Sequence, residues 1–256
     1  MLWIIIAFLL QQVGNNIVIS GMGSTYIYFQ YGYNGAMYST FSTVGVAATA
    51  ILMVGFPMIS HKVRRKQLMN VMLGVAMVGY VLMLLTGFVL TGTTIGYWIL
   101  TIGYMLANFG QYGFYLIMMI AILNTVEYNE YISGNRDEAV IASVRPFVTK
   151  MASAIALGIT SICYVAFNVI EHTNQISGLE QAATSGELDA IDKLDQIDQT
   201  IQGIANGQKL GLLLAMVIIP CVMLVLSYII YQKKYPLDED EYNRICAELQ
   251  ARKTEQ

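Results

Sequence analysis

Charged residues are missing from four long stretches of this chain. No Asp, Glu, Lys or Arg occurs in residues 1–61, 67–126, 151–170 or 210–232. Only 12% of the residues are charged, against about 25% in ordinary soluble domains. A surface that faces water needs polar and charged side chains on nearly every element, whereas about 18 consecutive apolar residues are enough to cross a bilayer. The pattern therefore predicts an integral membrane protein.

Turn-forming residues divide the apolar stretches into six predicted transmembrane helices, so the predicted fold class is all-α. The helices cover approximately 2–28, 36–60, 68–90, 96–123, 140–170 and 208–231. We expect them to form one bundle within residues 1–232, followed by a tail at 233–256. In the tail, Asp238 is placed to cap a short amphipathic helix.

Basic residues set the predicted orientation of the bundle. Four of them occur in the loop 61–67, which places this loop in the cytoplasm by the positive-inside rule. The loop 124–139 and the tail then also lie in the cytoplasm, and the acidic loop 171–209 lies on the outer side of the membrane. The predicted localisation is the plasma membrane, which the protein crosses several times. Apolar residues recur every three or four positions across 188–204, which predicts an amphipathic helix in the outer loop.

Lys150 is the clearest candidate for a functional residue within the membrane. It lies ten residues into the fifth predicted helix, about 15 Å deep at 1.5 Å per residue, near the middle of a hydrocarbon core of about 30 Å. Ionisable residues at that depth are costly and are candidates for functional sites by default. The alternative is a lysine whose long side chain extends to the inner interface.

Other polar side chains in the spans suit a ligand with many hydroxyl groups. The first helix carries a polar stripe that includes Asn16, and the fourth carries another that includes Gln111 and Tyr115. Arg145 lies five residues before Lys150 and could bind a ligand or anchor the helix end. We predict that these four residues bind substrate together with Lys150, although amides could equally join neighbouring helices.

The charged cluster at the predicted inner surface suggests a conformational latch. Glu127, Glu130 and Arg136 lie between the fourth and fifth helices, where ion pairs could hold one conformation. No Asp or Glu lies within the predicted spans, so we expect no site for a coupling cation in this chain. The cysteines are too scattered for a metal site. Neither a catalytic set nor a basic surface for nucleic acid is present, so we predict no enzyme, no cofactor and no nucleic-acid partner.

Five segments resemble the glycoside-pentoside-hexuronide:cation symporters, in the second half of their twelve-helix, major-facilitator-type fold. In chain order they are LLQQVGNN (9–16), YIYFQY (26–31), PMISHKVRRKQL (57–68), NTVEYNEY (124–131) and SVRPFVTK (143–150). By this resemblance, Lys150 is similar to the lysine at the sugar and cation cavity. Tyr115 stands where a family member has a cavity-facing tryptophan, and Arg145 where it has a glutamine.

The resemblance implies the C-terminal half of a secondary active transporter that carries sugars or glycosides with Na⁺ or H⁺ by alternating access. The cation site and the main sugar-binding carboxylates of the family lie in the first six helices. The expected partners are the lipid bilayer, a sugar or glycoside, and an N-terminal six-helix half, either in the same longer chain or separate. Two alternatives stay open: a self-contained six-span transporter that forms homodimers, and a non-transporting membrane scaffold.

Overall fold

The computed structural model describes residues 2–60, 63–135, 138–235 and 237–254, which form helices and short connections without a strand. The all-α prediction is confirmed. The helices are α1 Leu2–Ile17, a π-helical turn Val18–Met22, α2 Gly23–Tyr31, α3 Gly35–Ser60, α4 Arg65–Phe88, α5 Thr94–Ser133, α6 Glu138–Ala166, α7 Ile170–Thr184, α8 Ala190–Gln202, α9 Asn206–Lys234 and α10 Glu239–Thr254.

Within the described residues, six helices are long and apolar enough to cross a membrane, and each corresponds to one of the six predicted spans. The chain is therefore a multi-pass membrane protein. The first of the six spans consists of α1, the π-helical turn and α2, and the others are α3, α4, α5, α6 and α9. The short helices α7, α8 and α10 are too polar or too short to join them.

The helix α5 is longer than the span that hydropathy predicts. The predicted helix ends near Leu123, whereas α5 continues to Ser133 and measures 40 residues, about 60 Å at 1.5 Å per residue. It ends where Gly134 adopts a left-handed conformation (φ 74°) and caps the helix. Hydropathy reports only the part of a helix that suits lipid, so the polar extension with Glu127 and Glu130 falls outside the predicted span.

The first span is interrupted, although the sequence predicts one continuous helix. Ser20 (ψ 19°) and Gly21 (φ 110°) depart from helical geometry. Hydrogen bonds to α6 lie at the break and just after it: the Ser20 Oγ is 2.9 Å from the Thr160 Oγ1, and the Thr25 Oγ1 is 2.7 Å from the Tyr164 hydroxyl. These bonds tie the broken segment and α2 to α6, so tertiary contacts accompany the break.

Gly21→Ala is expected to lower the stability of the bundle by about 1–2 kcal/mol, the cost of a left-handed backbone for a residue with a Cβ. The added Cβ would lie 3.5 Å from the Tyr164 hydroxyl, an ordinary contact, so the expected loss comes mainly from backbone strain. Thermal unfolding in detergent measures the effect. Gly35→Ala is the control, because its Cβ would meet nothing within 4 Å. Equal unfolding temperatures for the two variants would contradict the prediction.

The segment between α6 and α9 contains two helices, of which the sequence predicts the second. The predicted amphipathic helix is α8, and the Asp189 carboxylate caps it by accepting a hydrogen bond from the Ile191 N–H at 3.3 Å. The helix α7 was not predicted. Its Glu180 accepts a hydrogen bond from the Tyr33 hydroxyl and pairs with Lys193 of α8 at 3.3 Å. The Tyr33 hydrogen bond, followed by Lys193, lowers the pKa of the Glu180 carboxyl.

The tail forms the short amphipathic helix α10, as predicted. The Asp238 Oδ1 caps it by accepting a hydrogen bond from the Glu241 N–H at 2.9 Å. Ile245 is fully buried against the bundle. Glu239 pairs with Arg65 at the start of α4, with 3.3 Å between the Arg65 Nε and the Glu239 Oε1. The tail therefore packs at the end of the bundle where α4 begins.

Candidate functional site

A cavity of about 700 Å³ lies among α1, α3, α5 and α6. Its walls are mainly polar on α1 and α6 and aromatic on α5. The lining residues are Gln12, Asn15, Asn16, Ile19, Met53, Tyr112, Tyr115, Ala142, Arg145, Pro146, Thr149 and Lys150. Four of the five predicted substrate-binding residues are among them.

The two cations of α6 face the same cavity. Arg145 and Lys150 are five residues apart, which separates them by about 140° around an ideal helix. Both nevertheless line the cavity, and both side chains are exposed. The Arg145 guanidinium carbon lies 5.7 Å from the centre of the Tyr115 ring, a distance at which a cation is attracted to an aromatic face. In the described part of the chain, no carboxylate is paired with either cation.

Three amides of α1 form the opposite wall. Gln12, Asn15 and Asn16 are spaced three and four residues apart, so they share one face of the helix. The Asn16 Nδ2 donates to the backbone carbonyl of Gln12 at 2.8 Å. The Asn15 Oδ1 is buried without a hydrogen-bond partner among the described residues. The Asn15 oxygen is therefore an unsatisfied acceptor within the wall of the cavity.

Proline adds a backbone acceptor on the α6 side. Pro146 lies inside α6 and has no N–H, so the carbonyl oxygen of Ala142 cannot receive the helical hydrogen bond from four residues later. Both residues line the cavity. The sequence signal for this acceptor is a proline within a predicted span, although Ala142 is not among the predicted site residues.

Gln111 lies outside the cavity, contrary to the prediction that it contacts substrate directly. Its exposed fraction is 2%. The Gln11 Nε2 donates to its backbone carbonyl and to its Oε1, both at 3.0 Å, and its own Nε2 donates to the Tyr80 hydroxyl at 2.9 Å. Tyr112, one residue later and therefore about 100° around the helix, lines the cavity instead. The sequence shows which helix carries a polar side chain, but it does not show which side of that helix faces the cavity.

The predicted latch is only partly described by the structure. Glu127 and Glu130 lie on the polar extension of α5, and both interact with other residues. Arg136 lies outside the described residues, so the latch stays a prediction. An ion pair that the sequence did not suggest joins Arg65 to Glu239 nearby.

Comparison with known proteins gives the family of the chain. A family model for MFS/sugar transport proteins matches residues 1–239. The chain is 27% identical to a raffinose carrier protein from Pediococcus pentosaceus, over 98% of this chain and 34% of that protein. It is also 25% identical to a lactose permease from Lactobacillus delbrueckii subsp. bulgaricus, again over 98% of this chain and 34% of the relative. The chain thus spans about a third of the length of these curated relatives. It belongs to the MFS/sugar transport family.

Proposed function

We propose that this chain is the C-terminal six-helix half of a transporter that carries a sugar or glycoside together with Na⁺ or H⁺ by alternating access. The observation that carries the proposal is the cavity, which is lined by amide residues of α1 and by the cations Arg145 and Lys150 of α6. In transporters built from repeats, two halves move around a binding site near the middle of the membrane.

The chemistry of the cavity suits a sugar. A hydroxyl group both donates and accepts hydrogen bonds, so a polyhydroxyl ligand needs acceptors and donors around it. The α1 amides and the Ala142 carbonyl supply acceptors, and Arg145 and Lys150 supply donors. The volume of about 700 Å³ lies within the range of roughly 300–1,000 Å³ that is typical of small-molecule sites.

The proposal assigns the coupling cation to the other half. No acidic residue lines this cavity, and the acids of α5, Glu127 and Glu130, lie on its polar extension. The positive-inside rule supports an orientation with the loop 61–67 and α10 in the cytoplasm and with α7 and α8 outside the plasma membrane. Lys233 and Lys234 at the end of α9 agree with this orientation.

Uptake of labelled raffinose and lactose into membrane vesicles tests the proposal. We expect uptake against the concentration gradient, driven by an imposed Na⁺ or proton gradient and abolished when an ionophore collapses that gradient. Uptake that merely equilibrates would contradict cation coupling, and no uptake or binding of either sugar would favour a non-transporting scaffold.

An immunoblot of native membranes with an antibody against α10 tests the half-transporter assignment. A band well above 28.4 kDa supports one longer permease. A band at 28.4 kDa directs the search to a separate first half or to a homodimer, which cross-linking in the membrane distinguishes.

A further inference from the structure

We propose that Gln11 and Gln111, which do not line the cavity, orient the cavity amide of Gln12 and thereby act as positioning residues for the sugar. The inference rests on the proposed function, because it assigns a role toward the ligand of the same cavity. It also gives Gln111 a different role from the direct contact that its sequence position suggests.

A continuous chain of hydrogen bonds leads from the cavity wall into the core. The Gln12 Nε2 donates to the Gln11 Oε1 at 2.7 Å, and the Gln11 Nε2 donates to the backbone carbonyl and the Oε1 of Gln111, both at 3.0 Å. The Gln111 Nε2 then donates to the Tyr80 hydroxyl at 2.9 Å. The exposed fractions of the four residues lie between 0% and 6%. These hydrogen bonds therefore join α1, α5 and α4 in the interior of the bundle and reach the cavity only at Gln12.

A backbone carbonyl fixes the direction of these hydrogen bonds. The Gln111 carbonyl oxygen can only accept a hydrogen bond, so the nitrogen of the Gln11 amide must face it. The Gln11 oxygen is then turned toward Gln12, and the Gln12 nitrogen must face that oxygen. A flipped amide at either glutamine would bring two acceptors or two donors together inside the core, where unmade hydrogen bonds are costly.

The consequence at the cavity is a fixed acceptor. The nitrogen of Gln12 is held by Gln11, and within the described residues no hydrogen bond to the Gln12 Oε1 is found. This oxygen is therefore the atom of Gln12 that accepts from a hydroxyl group of the ligand. Without these hydrogen bonds, the Gln12 amide could rotate and offer its NH₂ group instead, so one hydroxyl of the sugar would no longer be recognised.

A purely structural role for the network predicts a different result. If the amides only join α1, α4 and α5, removing them lowers stability and the maximal uptake rate but leaves the preference among sugars unchanged. If they position Gln12, removing them specifically lowers the discrimination between a sugar and the analogue that lacks the recognised hydroxyl. The comparison of analogues therefore separates the two roles.

The test measures competition by lactose and by its monodeoxy derivatives against labelled lactose uptake, in membranes that carry the full-length protein. We expect the native protein to bind at least one derivative about tenfold more weakly than lactose, the effect of losing a hydrogen bond worth about 1.4 kcal/mol. In Gln11→Met and Gln111→Met, the ratio between the affinity for lactose and the affinity for this derivative should fall toward one. The change should be larger for Gln11→Met.

Thr101→Val is the control, because Thr101 is a fully buried polar residue of α5 whose hydroxyl donates within its own helix to the Tyr97 carbonyl. It should keep the native ratio. Tyr80→Phe removes only the last hydrogen bond, from Gln111 to the Tyr80 hydroxyl, and it replaces a methionine variant that does not reach the membrane. A native ratio in folded Gln11→Met would overturn the inference. Native ratios in both single variants Tyr80→Phe and Gln111→Met would also overturn it. Failure of the proposed function would instead appear as absent lactose uptake by the native protein.

Discussion

Lys150→Gln is expected to lower sugar uptake by about 10- to 100-fold without lowering the amount of protein in the membrane. A hydrogen bond from a charged group contributes about 1.5–3 kcal/mol, and each 1.4 kcal/mol corresponds to roughly tenfold in binding. Lys150 is exposed in the cavity, so its replacement leaves no buried partner unsatisfied in the described part of the chain. The measurement is the rate of labelled sugar uptake, normalised to protein level by immunoblot.

Lys234→Gln is the matched control for Lys150→Gln. It removes the same charge at the end of α9, where the Lys234 ammonium lies 5.2 Å from the centre of the Trp3 ring and away from the cavity. We expect it to keep near-native uptake. Native uptake by Lys150→Gln would contradict a role of Lys150 in ligand binding.

Gly79→Ala is expected to destabilise the bundle by about 1–3 kcal/mol or more, the range for overpacking a well-packed core. A Cβ on Gly79 would lie 2.4 Å from the backbone nitrogen of Ala107 and 2.5 Å from the backbone oxygen of Gly103. Both atoms belong to α5, so the two helices would have to separate. Small residues allow this close approach of helices in membranes. The midpoint of thermal unfolding in one fixed detergent measures the effect.

Gly74→Ala is the control on the same helix. Its Cβ would meet nothing within 4 Å, and alanine favours a helix by up to about 1 kcal/mol over glycine. We therefore expect an unchanged or slightly raised unfolding temperature. If Gly79→Ala and Gly74→Ala unfolded at the same temperature, the close packing of α4 on α5 would not contribute to stability.

The sequence was sufficient to predict the class of the molecule and much of its candidate site. Burial in lipid depends on the apolar character of each segment, so long stretches with few or no charges, divided by turn-forming residues, marked all six spans. The same argument singled out Lys150, because a charge within an apolar helix is visible without knowing its neighbours. Arg145, Tyr115 and Asn16 were also expected to bind substrate, and all three line the cavity together with Lys150.

Only the tertiary structure decided which side of each helix meets which neighbour. Gln111 and Tyr112 are adjacent polar residues on α5, yet one is buried against Gln11 and Tyr80 while the other lines the cavity. The break at Gly21 escaped prediction because hydropathy treats the whole segment as one apolar span, whereas the break lies where Ser20 bonds to α6. Hydropathy is a property of each segment by itself, whereas the side that a residue faces and the interruption of a helix depend on residues that are distant in the chain, from 31 to 140 positions away in these hydrogen bonds.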